Sequence, residues 1–269
     1  MAADFRWRVC RFLFRAVDAI SFPPHAGNVL RGALGFLLDE KAFRPAPSAG
    51  VPSGFRNAPR PFVIRCRELD GRHLSPGSSW CFELNLFDPD LDPGRAVKRL
   101  KALRGAAVQW QETSSSAHYV DLAEVQPASR MRVEFLTPTE LKGHDDNASP
   151  PPFAVLLKRA RDRVSALAAF YGGAAPETDF RGLGERAGPV RLISGRVLPL
   201  VLARTSSRTG ETHPLGGFTG YAEYAGGLGE FVPWLKAAEA TGVGRHTVWG
   251  NGAIAVRLDD ASHATSMPH

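Results

Sequence analysis

One order of elements is spelled twice along the sequence, and few folds accept it. Phe5 to Phe14 alternates, with Phe5, Trp7 and Val9 on one face, which predicts a strand. Residues 28–39 predict a helix with Leu30, Leu34, Leu37 and Leu38 on its apolar side and Asn28 as N-cap. Gly32 and Gly35 on that helix are expected to let it pack closely on a sheet. Arg44 to Pro61 is rich in Pro, Ala, Ser and Gly and reads as a surface loop. Two alternating strands follow, Pro61 to Arg67 and Ser79 to Phe87. Asp92-Pro93 predicts a helix start, with Ala96, Leu100 and Leu103 on its inner side and Gly105 closing it. Strands near 106–111 and 118–126 complete a βαββαβ unit.

The same order then returns. Met131 to Leu136 reads as a strand, and Phe153 to Tyr171 as a long helix with Phe153, Leu156, Leu157, Ala160, Val164 and Leu167 at helical spacing. Val190 to Ala203 and Phe218 to Ala225 read as strands, Phe231 to Thr241 as a helix closed by Gly242, and Gly252 to Leu258 as the last strand. The expected fold is therefore α+β: tandem ferredoxin-like (RRM-like) domains with antiparallel sheets, covering 1–128 and 129–258. The boundary is expected near Gln126 to Ser129, and a polar tail at 259–269.

Glycines punctuate the stretch before the last strand, GVGRHTVWGNGAIAV. Gly242, Gly244, Gly250 and Gly252 bracket Arg245 and His246. Glycines let a chain turn with positive φ and let another backbone come close. Successive free N–H groups in such a loop form an anion-binding concavity, and Arg245 adds a planar cation suited to phosphate. The spacing fails the P-loop pattern, because Glu239 stands where its first glycine should be. It also fails the dinucleotide fingerprint, which needs strand, glycines, then helix; here the order is helix, glycines, strand. A glycine-rich turn with no ligand remains the plain alternative.

Charge agrees with a polyanionic partner without proving one. The net charge is +6 and the isoelectric point about 9.5. Arginine supplies most of it, however, and an arginine excess also arises from genomic base composition. Cys10, Cys66 and Cys81 show no C-x-x-C spacing and read as buried, reduced thiols. The scattered histidines offer no zinc pattern, and no cofactor is called for. No apolar run approaches the roughly 20 residues of a membrane span, and MAADFRWRVCRF lacks a signal-peptide core, so a cytoplasmic location is expected.

A second segment gives the glycine loop a context. FPPHAGNVLRGALGFLLD, from Phe22 to Asp39, carries a proline pair, a small-residue turn and an L-R-G-A-x-G helix, through Pro23, Pro24, Gly27, Leu30, Arg31, Gly32, Ala33 and Gly35. Between it and the loop stand FLTPTELK (Phe135 to Lys142), a proline-rich gap, a long helix ending FYGG, and GGFTGYAEYAG (Gly216 to Gly226). In order and spacing, over residues 5 to 258, the chain resembles the CRISPR-associated endoribonucleases of the RAMP superfamily, which cut precursor CRISPR RNA inside its repeats.

That resemblance implies tandem ferredoxin-like domains, a CRISPR repeat RNA partner and an endoribonuclease that needs no metal. In such a reaction the ribose 2′-OH attacks its own phosphate and leaves a 2′,3′-cyclic phosphate and a 5′-OH. His25 precedes the first helix, where a phosphate is attracted and a proton can be exchanged near neutral pH. Several family members place a catalytic histidine at or within this helix. On its residues alone His25 could equally be a loop histidine. Arg31 falls inside the L-R-G motif and is expected to contact phosphate or support the site; His246 is either a reserve proton carrier or an exposed polar turn residue. Arg245, Lys142 and the four loop glycines are expected to bind RNA; Tyr221, and with it Tyr224, could stack on bases, although strand aromatics such as these two more often belong to a core. The alternative is a non-catalytic RAMP subunit that holds guide RNA among other CRISPR effector subunits.

Overall fold

The computed structural model of the protein describes residues 4–43, 45, 58–172, 178–200, 203–205, 212–214 and 216–259. Most of the expected loop at 44–61, and the expected tail beyond Asp259, lie outside the described residues.

The first unit is built from β1 (Asp4–Ala16), α1 (Gly27–Leu37), β2 (Phe62–Arg65), β3 (Ser79–Leu86), a short helix α2 (Gly94–Val97) and β4 (Ala106–Asp121). The sheet order is β2-β3-β1-β4, with Ala102–Leu103 added at the β4 edge. All the pairings are antiparallel; β1 runs beside β3 from Arg8↔Leu86 to Arg15↔Ser79, and beside β4 from Asp4↔Asp121 to Ala16↔Val108. The second unit contains β5 (Arg130–Thr139), α3 (Phe153–Tyr171), α4 (Phe180–Ala187), β6 (Arg191–Leu200), β7 (Gly217–Ala225), α5 (Val232–Thr241) and β8 (Ile254–Leu258). Its sheet order is β8-β5-β7-β6, again antiparallel. In both sheets the first and third strands of the unit lie centrally, side by side. Two ferredoxin-like units in tandem are what the twice-read order requires.

Three local expectations change. Helix α1 starts at Gly27 rather than after Asn28; its N-cap residue is Ala26, and no side chain of that residue caps it. The second helix is a single turn, and Gly105 (φ +82) instead turns the hairpin between Leu103 and Ala106. The strands expected near 106–111 and 118–126 are one long strand, β4. Helix α4, not expected from the sequence, is short and polar overall, with Leu183 and Ala187 on its buried side; Asp179 caps it by accepting the Gly182 N–H. Among the described residues, no helix is long and apolar enough to cross a membrane.

Two cores result. One joins α1 to the inner face of the first sheet through Leu30, Leu34, Phe12, Phe14, Phe62 and Phe82. The other is built on α3, α5 and the second sheet, and it continues into the first unit through Phe5, Val63 and Phe87. Strand β2 is thus covered on both faces, with Phe62, Val63 and Ile64 all fully buried. This is why its segment is a continuous apolar run and not an alternating one.

The two units are also tied by hydrogen bonds. The last carbonyls of a helix have no partner within it. At the end of α5, Arg65 of β2 donates to the Glu239 carbonyl (2.7 Å) and the Ala240 carbonyl (3.0 Å), and Asn85 of β3 donates to Ala240 (2.9 Å). Arg163 of α3 donates to the Thr241 carbonyl at 2.7 Å. Burial pulls Arg65 down to about 10 and Arg163 to about 9, the latter also through the nearby charges of Arg65 and Arg60.

The thiols give a test of this packing. Cys10 and Cys66 are buried as expected, whereas Cys81 is partly exposed. Burial, before the nearby Asp70 charge, pushes the Cys66 thiol up to about 12. Alkylation of the native protein near pH 8, followed by peptide mass spectrometry, should label Cys81 first and leave Cys66 unmodified until unfolding. Because the folded Cys66 holds its proton above the pH at which the unfolded thiol loses it, its contribution to stability should fall from about pH 9 upward. Rapid labelling of Cys66 in the native state would contradict the buried placement.

Candidate functional site

His25 is held in place by backbone geometry. The segment 66–74 runs back along 20–26: the Phe22 N–H donates to the Arg72 carbonyl, and the Gly71 N–H to the Pro23 carbonyl, each at 2.8 Å. Ile20 and Ser21 pair with Leu74 and His73. His25 is half-buried there, one residue ahead of the α1 N-cap.

The glycine loop lies between α5 and β8. Gly242, Gly244, Gly250 and Gly252 all have positive φ, as their pattern predicts. A Cβ on Gly244 would overlap the Glu140 carbonyl, and one on Gly252 the Val243 carbonyl. The expectation of successive free N–H groups is narrowed, because many of the loop amides are tied. Gly242, Val243, Arg245, Trp249, Gly250 and Gly252 donate their amides to backbone carbonyls, and Ala253 to Thr137 Oγ1. The same Thr137 hydroxyl donates to the Gly250 carbonyl at 2.8 Å. The glycines therefore serve chiefly to fold the loop tightly onto the end of β5.

The first helix and this loop meet. A Cβ on Gly27 would collide with the Trp249 carbonyl, so only glycine lets the start of α1 approach so closely. Beside that contact is a cavity of about 410 Å³ lined from both units. Arg11, His25, Arg65, Asp70 and Glu83 come from the first; Thr137, Glu239, Gly250 and Asn251 come from the second. Asn251 is buried, and Asp70 is held above the usual carboxylate range chiefly by burial. The cavity thus combines a histidine with a desolvated guanidinium, a set able to hold an oxyanion and move a proton beside it.

The other expected residues are distributed around this cavity. The Arg31 guanidinium sits 5.2 Å from the ring centres of both Phe43 and Trp249, which stacks α1 against the loop. Arg245 donates to Glu140 Oε1 at 2.7 Å and lines a different cavity with Lys142, Arg159 and Gly244. His246 has a left-handed backbone (φ +60), places Nε2 3.9 Å from Glu140 Oε2, and lines a third cavity with Arg60 and Arg163. Trp249 borders both the His25 cavity and the His246 cavity, so the two histidines open into different spaces. Tyr221 lies on β7 with the Arg132 guanidinium 3.6 Å from its ring centre, and it does not line the His25 cavity. Tyr224 is core, donating its hydroxyl to the Pro151 carbonyl at 2.8 Å.

Sequence reasoning missed Arg65, Asp70, Thr137 and Asn251 as cavity residues. A charge ending the apolar run PFVIR was the available signal for Arg65; Asp70 and Asn251 offered none. Gly32 and Gly35 are corrected: a Cβ on Gly32 meets nothing within 4 Å, and one on Gly35 only the tip of Arg31. Their close-packing role belongs to Gly27. Among the described residues, no three His, Cys, Asp or Glu side chains are gathered as a metal site would need.

Fold and site together define the class: a tandem ferredoxin-like protein with a glycine loop closing onto its first helix. Residues 133–254 match the family described as CRISPR-associated endoribonuclease Cas6. Solved structures share the fold over nearly the whole chain. A Cas6 product complex superposes with a TM-score of 0.63 at 16% identity, covering 93% of this chain and 100% of that one. Thermus thermophilus Cas6 gives 0.56 at 17%, covering 96% and 100%. A chain of a partial Cas6-RT-Cas1–Cas2 complex gives 0.66 at 12%, covering 99% of this chain and 48% of that one. No curated protein matches by sequence.

The contrast between two glycines of α1 checks the site geometry. Gly27→Ala should destabilise the protein by about 2–4 kcal/mol in urea unfolding, because a backbone carbonyl blocks the added methyl. Gly32→Ala should stabilise it by roughly 0.5–1 kcal/mol, since the methyl meets open space in a helix interior. Equal effects at the two positions would mean that α1 does not abut the loop.

Proposed function

We propose that the protein is an endoribonuclease that cuts CRISPR repeat RNA in precursor transcripts to release guide RNAs. The observation that carries this reading is the cavity that His25 shares with Gly250 and Asn251, formed where α1 meets the glycine loop. The match of residues 133–254 to the Cas6 family supports it. So does the fold shared with Cas6 proteins solved as product complexes. The chain divides, on this reading, into RNA-holding domains at 1–128 and 129–258.

The reaction is transesterification. The 2′-oxygen loses its proton and bonds to the adjacent phosphorus, and the bond to the 5′-oxygen breaks as that oxygen takes up a proton. The products are a 2′,3′-cyclic phosphate and a 5′-OH, and no metal enters the step. His25 exchanges a proton with the reacting oxygens. Arg31, stacked between Phe43 and Trp249, keeps the helix and the loop in register. Arg245 and Lys142 hold the strand beside the loop, and His246 is the second proton carrier to be tested. Tyr221 extends the RNA-contacting surface onto the second sheet.

Single-turnover cleavage of repeat RNA in EDTA tests the chemistry. Wild-type protein should cut, and a 2′-deoxy substitution at the cut site should abolish cutting. His25→Ala should slow the cut about 10²–10⁴-fold with RNA binding nearly intact. If His25→Ala cuts normally while His246→Ala is dead, the proton moves in the other cavity. Magnesium-dependent cutting that survives the 2′-deoxy substitution would exclude the mechanism.

Arg245→Ala should act on binding instead. It should weaken RNA affinity and lower the salt slope by roughly one unit, as loss of one phosphate contact does. Glu140 engages Arg245 Nη1 and offsets its charge, so Glu140→Gln should tighten binding. An unchanged salt slope in Arg245→Ala would remove this residue from the RNA path.

A further inference from the structure

We infer that Asp70 is the positioning residue of this site: its carboxylate oxygen fixes the turn that carries His25. The inference rests on the proposed role of His25. Asp70 ends the short 3-10 turn Arg67–Leu69 and is followed by Gly71 with positive φ. This geometry presents Asp70 Oδ1 to the Ala26 N–H at 2.8 Å, while the next residue donates its own amide to the Pro23 carbonyl. His25 therefore stands between two anchors, one on the carbonyl of Pro23 and one on the amide of Ala26. Both come from one strap and neither comes from α1 itself.

The need for such an anchor follows from the start of the helix. The first amides of a helix lack internal acceptors, and Ala26 at the N-cap has no side-chain oxygen to offer. Asp70 supplies from a distant segment one acceptor that the local sequence lacks. It also does so inside the cavity, where it and His25 are both lining residues. Without that bond the Pro24-His25-Ala26 turn keeps its Pro23 anchor and the helix bonds from Val29 and Leu30 to the Ala26 carbonyl, but the Ala26 amide next to His25 is released. The ring at residue 25 then samples positions away from the Gly250 wall. Displacement of a catalytic group by about 1 Å costs as much as 10²-fold in rate.

The role depends on the acceptor oxygen, which an amide also provides. In single-turnover cleavage of repeat RNA, Asp70→Ala should cut about 10–100-fold more slowly than wild type, with the RNA Kd within about twofold. Asp70→Asn, which retains an Oδ1 in place, should cut within about threefold of wild type. Asp70→Glu, with the acceptor moved by one methylene, should be slow. Hydrogen exchange of the Ala26 amide should be protected in wild type and in Asp70→Asn, and lost in Asp70→Ala. Full-rate cutting by Asp70→Ala overturns the inference, as does an equal loss of rate and affinity, or an Asn variant as slow as Ala. Should Asp70→Ala fail to fold, the Asn and Glu variants decide, since a positioning acceptor requires the first to be fast and the second slow. Wild-type protein that leaves repeat RNA intact, or His25→Ala that cuts normally, defeats the functional reading instead. Protection of the Ala26 amide then still reports whether Asp70 anchors the turn.

Discussion

The carbonyls at the end of α5 have to find donors, and the way they find them holds the two units together. A helix end buried without partners costs free energy for each orphan group. Here Arg65 and Asn85 reach across from the first sheet, and Arg163 comes from the neighbouring helix α3. Their positive charge and dipoles suit the negative end of the helix. Desolvation of the two guanidiniums is the opposing cost, visible in how far burial pulls both below the usual arginine value. The chain accepts this cost at the point from which the glycine loop departs, immediately after Thr241.

That placement gives the loop a rigid origin. From Gly242 onward nearly every turn is held by a backbone hydrogen bond or by Thr137, and the glycines are there because carbonyls of Glu140 and Val243 occupy the space of their missing side chains. The loop is consequently less an open nest of amides than a packed wall. One side of it, at Gly250 and Asn251, faces His25; the residues with the most conspicuous chemistry, Arg245 and His246, line other cavities. Gly27 is the matching surface on the first unit, and Arg31 between two aromatic rings keeps the surfaces aligned.

Much of the architecture was legible in the sequence because period and punctuation are local properties. Alternation in Phe5 to Phe14 specifies a strand and the helical spacing of Phe153 to Leu167 a helix, and both elements form where the pattern places them; within β1, however, Phe5 and Trp7 meet the second core, and the first core takes Cys10, Phe12 and Phe14 of the other parity. The errors fell where local signals are ambiguous. Gly105 suits a helix end and a hairpin turn equally well, and the hairpin wins because β4 pairs with Ala102–Leu103. Gly32 and Gly35 attracted attention by composition, yet the glycine that a close approach demands is Gly27.

The order of elements, the positive-φ role of the four loop glycines and the candidacy of His25 were determined by the sequence alone, since each depends on residue type and short spacing. Tertiary structure alone decided that Arg65, Asp70 and Thr137 line one cavity with His25, and that His246 lines another. Asp70 lies 45 positions from His25 and Asn251 still farther, and no periodic signal spans such distances. They are brought together by the hydrogen-bonding needs of buried backbone: the Ala26 amide, the Gly250 carbonyl and the end of α5. Which distant side chains meet those needs is settled only when both sheets have formed and packed.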